Sequence, residues 1–262
     1  MIRALYTSAS GMNSQQMNLD LIANNLANVN TTGFKKSKIE FQDLLYQNKK
    51  AEGAEAGDGN MTPSGIQIGH GSRPVSTTKI FTDGDLVETG EQTDLAIHGD
   101  GFFEVQMPGG QQGYTRDGSF KVSADGAVVT SEGYPLNIGL DNIPAEAINI
   151  GIASTGEYTF FNQQGQNIGN GNIQLTRFIN ASGLQNIGRN IFIETQASGP
   201  PEQGQPGQNG FGQLAQGYLE MSNVKVVEEM VNLIKAQRAY EVNSKAIQAA
   251  DEMMQRSNAI KR

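Results

Sequence analysis

The sequence predicts an α+β fold: long N- and C-terminal helices forming a coiled-coil stalk, with an antiparallel β-rich domain inserted between them. Three observations lead there. Apolar residues recur every seven positions at both ends of the chain. Neither terminal block contains proline, which would break a helix interior. Between the blocks the apolar period falls to two, and Asp-Gly and Pro-Gly turn signals arrive at short intervals.

In the N-terminal block Leu5, Met12, Leu19 and Leu26 share one heptad position, and Ile2, Ala9, Gln16 and Ala23 share the position three residues earlier. This is an a/d seam with one polar member. The spacing predicts a helix from Ile2 to Val29, stopped at Gly33 by the usual C-terminal glycine cap. In the C-terminal block Val226, Leu233, Tyr240, Ile247 and Met254 repeat at the same interval. Ser222 or Asn223 is the expected cap of that helix, and Lys261 and Arg262 place the charge its dipole prefers at its end.

The seam does not exhaust the apolar surface. Tyr6, Ile22 and Val29 lie beside it in the first block, and Val227, Met230, Val231, Ile234 and Val242 in the second. Two helices pairing only with each other leave these residues bare. They pack either on the chain's own globular part, the commonest fate of an amphipathic helix, or on other copies of the chain. Polar composition favours other copies, because residues 1–30 carry only Arg3 and Asp20 as charges, the remaining polar side chains being Asn, Gln, Ser and Thr. Amides and hydroxyls can be enclosed by protein at far lower desolvation cost than a lone charge.

The organisation read along the chain is a helix over 1–33, an extended linker with a long loop over 34–74, a β-rich domain over 75–195, a Gly/Gln/Pro-rich return linker over 196–222 and a helix over 223–262. Phe34 to Gln47 mixes apolar and basic residues and reads as a short extended piece leading into a helical turn. Residues 48–65 are small, charged and glycine-rich, the composition of a loop. Hairpins are expected around Asp100-Gly101, Asp125-Gly126 and Glu132-Gly133, and strands at Gly101 to Val105, Ile148 to Ile152, Tyr158 to Phe161 and Ile173 to Phe178.

Composition excludes several function classes. The formal net charge of −8 argues against nucleic acid and anionic lipid as partners. No apolar run approaches the ~18 residues of a membrane span, and Met1 to Tyr6 do not resemble a secretory signal. Cysteine is absent, so no oxidative folding is needed. His70 and His98 lack metal-ligand spacing. Asp83-Gly84-Asp85 lacks the order of a calcium loop and reads as a turn. No glycine pattern follows a strand in the manner of a phosphate loop. We therefore expect no cofactor, no metal and no enzymatic activity.

Two stretches go beyond periodicity. Asn24, Asn25, Leu26, Ala27 and Asn28, followed by Thr31, Gly33, Phe34 and Lys35, resemble the N-terminal signature of the bacterial flagellar rod and hook family. Gly217 to Val224 with Asn223, then Glu229, Gln237, Arg238 and Tyr240, resemble its C-terminal signature. Chain length, and the stretch Gly65 to Gly69 with Pro74, Val75 and Ile80 to Gly84, resemble the family's distal rod members, with proximal rod members of similar size as the alternative. An adhesin-like β domain on an oligomerising stalk is the rival from another class.

The resemblance implies a helical homopolymer serving as a drive shaft around an export channel. Its implied partners are proximal rod and hook proteins, the P-ring and L-ring proteins and the flagellar type III export apparatus, without membrane insertion. The implied location is the basal body, from periplasm to outer membrane, reached without a cleavable signal. The segment from about Asp43 to Gly71 is implied to touch neighbouring copies, with Phe41, Leu44, Tyr46, Ile66 and Ile68 as its contact candidates.

Overall fold

The computed structural model describes residues 2–53, 63–140, 142–144 and 146–260. The middle of the expected 48–65 loop and the terminal Lys261 and Arg262 lie outside the described residues. The chain forms two compact units, one from Met1–Leu26, Ser37–Thr78 and Val226–Arg262, the other from Ala27–Lys36 and Lys79–Lys225.

The first unit holds both long helices, α1 at Ile2–Ala27 and α2 at Val226–Ile260. They run antiparallel: a Cβ on Gly11 would come within 2.9 Å of the Asn243 amide, and the Asn25 amide meets the Glu229 carboxylate at 3.5 Å. Apart from Ile22, each line of inner positions is small or polar. On α1 the buried residues are Ser8, Ser14, Ile22 and Asn25, and on α2 they are Glu229, Ala236 and Ala250. The predicted seam lies beside these lines. Leu5, Met12, Leu19 and Leu26 are half-buried, as are Leu233, Ile247 and Met254, while Val226 and Tyr240 are exposed. Ile2, Ala9, Gln16 and Ala23, expected in the seam, are exposed.

On α2 the enclosed Glu229, Ala236 and Ala250 share one heptad position three residues after that of Val226, so the inner line and the predicted seam run side by side about 60° apart around the helix. The inner face of α1 is instead occupied by backbone: Gly71 lies against the Ser10 side chain and the Thr7 carbonyl, and the Ser14 hydroxyl donates to the Ser72 carbonyl at 3.4 Å. Small side chains permit that approach where leucine would not.

Between the helices in sequence, Ser37–Asp43 pairs with Ser72–Lys79, and Tyr46–Lys50 forms an antiparallel ladder with Ile66–Gly69 in which Tyr46 faces Gly69 and Gln47 faces Ile68. The expected helical turn before Gln47 is therefore a strand, and Asn48 to Lys50, expected in the loop, extend it. Ile39 is the residue this segment buries.

The second unit is antiparallel throughout its sheets. A four-stranded sheet runs Gln185–Gly188, Ile191–Ile193, Gln112–Thr115, Phe103–Gln106, and a three-stranded one runs Asn149–Ile152, Glu157–Phe161, Asn167–Asn172. Two-stranded ladders join Leu95–His98 to Gln213–Gln216, and Leu86–Glu88 to Tyr218–Glu220. Alternation along strands separates two cores. Phe103, Val105 and Ile191 enter one with Leu95, Ile138, Phe160 and Leu175, whereas their sequence neighbours Phe102 and Phe192 enter the other with Tyr114 and Phe178. In the second, rings meet edge to face, Tyr114 with Phe178 at 4.7 Å and Phe81 with Phe192 at 5.3 Å between centroids. Burial pushes the Tyr114 hydroxyl up to about 12, so it stays neutral.

Residues 196–222, read as a linker, supply three strands, Glu202–Gly204, Gln213–Gln216 and Tyr218–Glu220, and bury Phe211 and Leu214 in the larger core. Their Gly, Gln and Pro content masks this, since only two large apolar side chains anchor them. No helix among the described residues is long and apolar enough to cross a membrane.

Candidate assembly surface

The family-like motif residues fall into two groups of contacts, one in each unit. In the first unit Asn25 is buried and uses both ends of its amide on one residue: its Nδ2 donates to the Ser37 carbonyl at 2.9 Å and its Oδ1 accepts the Ser37 N–H at 3.0 Å. It thereby fixes the start of the strand Ser37–Asp43 against α1, and its contact to the buried Glu229 ties α2 to the same place. Asn24, Gln237 and Arg238 are exposed and Leu26 is half-buried.

In the second unit the segment 27–36 runs beside the strand ending at Glu220. Gly33 has φ of 67°, a left-handed conformation that favours glycine, and a Cβ there would lie 2.5 Å from the Asp117 nitrogen. Its N–H donates to the Glu220 carbonyl at 2.8 Å. Gly33 therefore shapes this contact; α1 has already ended at Ala27, so it is not the cap expected from the sequence. Thr31 donates to the Asn28 side chain at 3.2 Å, and buried Phe34 carries the Lys79 ammonium 4.5 Å above its ring.

Next to it the Lys35 ammonium and the Glu220 carboxylate form an ion pair with both side chains fully enclosed. The Arg116 guanidinium, also buried, lies 3.4 Å from the other Glu220 oxygen and donates to the Gly99 carbonyl at 2.7 Å. The Gly84 N–H donates to Glu220 at 2.9 Å, and Lys35 donates to the Thr82 carbonyl at 2.7 Å. Burial holds the Lys35 pKa below its ordinary 10.5, the Glu220 charge opposing that shift and Arg116 adding to it.

Asn223 does not cap α2, which starts three residues later. Its Oδ1 accepts the Lys36 N–H at 2.7 Å and its Nδ2 donates to the Ile80 carbonyl at 2.8 Å. Ser222 accepts the Val224 N–H at 3.3 Å instead. Asp83 uses its carboxylate on the Gly99 N–H at 2.9 Å and lies 3.3 Å from His98. In the sequence Lys35 and Glu220 stand out only as members of the motif stretches and Arg116 not at all, because an ion group assembled from positions 35, 116 and 220 leaves no local spacing to read.

Outside these contacts the first unit is bare. Most of the exposed large apolar side chains among the described residues belong to it, although nearly the whole buried core belongs to the second unit. On α2 Val227, Met230, Val231 and Ile234 are exposed at i, i+3, i+4 and i+7 spacing. At about 100° per residue this stripe lies opposite the buried line of Glu229, Ala236 and Ala250. On α1 Ile2, Tyr6 and Met17 are exposed. Phe41, Tyr46 and Ile66 are exposed, Leu44 and Ile68 are half-buried, and Leu45 is 88% exposed. Apolar patches of this extent mark surfaces that bind protein.

Three families match along the chain: "Flagella basal body rod protein" over residues 5–35, "Flagellar hook protein FlgE/F/G D1 domain" over 96–160 and "Flagellar basal body rod FlgEFG protein C-terminal" over 215–260. The flagellar basal-body rod protein FlgG of Borreliella burgdorferi is 49% identical over 100% of both chains. This chain belongs to the flagellar basal-body rod family. FlgG of Buchnera aphidicola subsp. Schizaphis graminum is 49% identical over 98% of both chains, and FlgG of Bacillus subtilis 40% over 100% of both. The rod family comprises structural proteins of the flagellar basal body and is not an enzyme family. Its two terminal matches contain the residues built into the contacts above, Asn25, Gly33 and Lys35 at one end and Glu220, Asn223 and Glu229 at the other.

Proposed function

We propose that the chain is the subunit of the flagellar distal rod, polymerising into a rigid helical tube that carries torque from motor to hook and encloses the export channel. The observation that carries this reading is the concentration of exposed apolar side chains on the unit formed by the two helices, together with full-length similarity to proteins named FlgG. Burying that surface between copies supplies roughly 25 cal/mol per Å², repeated at every subunit. Neighbouring copies complete α1 and α2 as a coiled-coil wall, with Leu5, Met12, Leu19 and Leu26 and the line from Val226 to Met254 at its seams. The Asn, Gln and Ser side chains of α1 that are not enclosed within the chain, Asn13 and Gln16 among them, line the channel. Phe41, Leu44, Tyr46, Ile66 and Ile68 touch adjacent copies and stiffen the tube.

The partners in this reading are proximal rod and hook proteins at the tube's ends, the P-ring and L-ring around it, and the type III export apparatus that delivers the chain unfolded and without a cleaved signal. Electron microscopy of concentrated protein tests it. Regular tubes are expected, and discrete small oligomers at every concentration would overturn it.

A further inference from the structure

A groove of about 560 Å³ opens in the first unit between α1 and the strands Ser37–Asp43 and Ser72–Lys79. Met17, Leu21, Ile39, Pro74 and Val75 give it an apolar floor and Asp20 lies at its edge. Ser76, also in the lining, donates to the Glu40 carboxylate at 3.3 Å, so a second acid stands at the rim. We propose that this groove receives the first turn of α1 from a second copy of the chain, with Ile2 and Tyr6 entering the groove and Arg3 pairing with Asp20. The inference rests on the homopolymer reading and says which surfaces join.

Charge complementarity selects this occupant. Arg3 and Asp20 are the only charged side chains on α1, they have opposite sign, and one lies at the helix start and the other in the groove. Within one chain they cannot meet, because seventeen helical residues at about 1.5 Å each hold them roughly 25 Å apart. Ile2 and Tyr6 are one turn apart on the same side of α1 and are 65% and 70% exposed. An apolar pair beside one guanidinium matches an apolar floor beside carboxylates, and arginine suits a partly enclosed carboxylate partner. The exposed stripe of α2 is the competing occupant, and Glu228 in the first turn of that helix brings a charge of the same sign as Asp20 and Glu40.

The geometry also has the symmetry a filament needs. Donor turn and acceptor groove are different surfaces of the same copy, so each joining leaves one of each free. Heterologous contacts of that kind propagate without closing when their rotation does not complete a ring.

Charge exchange tests it, with polymerisation followed by sedimentation and electron microscopy. Arg3→Glu and Asp20→Arg each alter an exposed residue, and each is expected to raise the concentration needed for polymerisation at least tenfold. Mixing the two variants, or combining both changes in one chain, is expected to restore assembly, since every joint then again pairs opposite charges. The chain has no cysteine, so Tyr6→Cys mixed with Val75→Cys reports the contact by oxidation to a mixed dimer during assembly. Single variants that polymerise like the unaltered chain, failure of the exchanged pair to recover, or capture of Met230→Cys in place of Tyr6→Cys by Val75→Cys would each overturn the proposal. Failure of the unaltered chain to form tubes would overturn the polymer reading instead.

Discussion

Replacing Glu220 by alanine is expected to lower the melting temperature of the β-rich unit by roughly 10–15 °C, from a loss of about 3–5 kcal/mol. The cost arises because the substitution leaves two enclosed cations, Lys35 and Arg116, without their carboxylate, and exposes the Gly84 N–H to the same loss. Removing one member of a buried ion group is far more damaging than the group is stabilising, since the desolvation already incurred by the partners is no longer offset. The exposed pair Arg177–Glu202 provides the control: Glu202→Ala should cost less than about 1 kcal/mol. Equal melting of Glu220→Ala and the parent would remove the ion group from the account.

The same group gives stability a pH dependence of known sign. Lys35 has a folded-state pKa below its ordinary 10.5. Between that lowered value and 10.5 the unfolded chain binds more protons than the folded one, so the Lys35 contribution makes stability rise with pH through that window. Glu220→Ala removes the charge that opposes the shift and should widen the window downward.

Ile234→Asp is expected to abolish tube formation at concentrations where the parent assembles, with the melting of the β-rich unit unchanged. Ile234 is 51% exposed in the single chain, in a stripe with Val227, Met230 and Val231, so its loss disturbs contacts between copies more than contacts within one. Leaving the exposed half of an isoleucine unburied costs about 1 kcal/mol per subunit, which alone raises the required concentration about five-fold. A carboxylate brought into an apolar contact adds desolvation to that loss. Assembly of Ile234→Asp at the parent's concentration would show that the stripe faces solvent in the tube.

The α+β class and both helices were legible because heptad spacing without proline has few other meanings, and the hairpin of Lys121–Val122 with Val128–Val129 was legible through Asp125-Gly126, whereas the strands beside Asp100-Gly101 pair with Gln213–Gln216 and Gln112–Thr115 rather than with each other. The inner faces of the helices were not. Hydrophobic periodicity points to Leu5, Met12, Leu19 and Leu26, yet the residues enclosed within one chain include Ser8, Ser14 and Asn25, chosen by the close approach of Gly71, Ser72 and Ser37. Small polar side chains carry no periodic signal. Residues 202–220 were hidden for a related reason: their ladders to Leu175–Arg177, Leu95–His98 and Leu86–Glu88 are made by backbone, and backbone pairing over long separations is silent in composition. The motif residues announced themselves as a pattern, but their division of labour did not. Asn25, Gly33, Glu220 and Asn223 hold the chain's own segments together, whereas the exposed stripe of α2 is free to meet other copies.

Hydrogen exchange on dilute monomer and on assembled protein tests the central claim most directly, namely that α1 and α2 are completed by other copies while the β-rich unit is complete in itself. The first unit buries few large apolar side chains, so its own opening free energy should be small. Amides of α1 and α2 are expected to exchange rapidly in the monomer and to become protected in tubes, with strands Leu95–His98, Phe103–Gln106 and Gln112–Thr115 equally protected in both. Helices as slow to exchange in dilute monomer as those strands would contradict it.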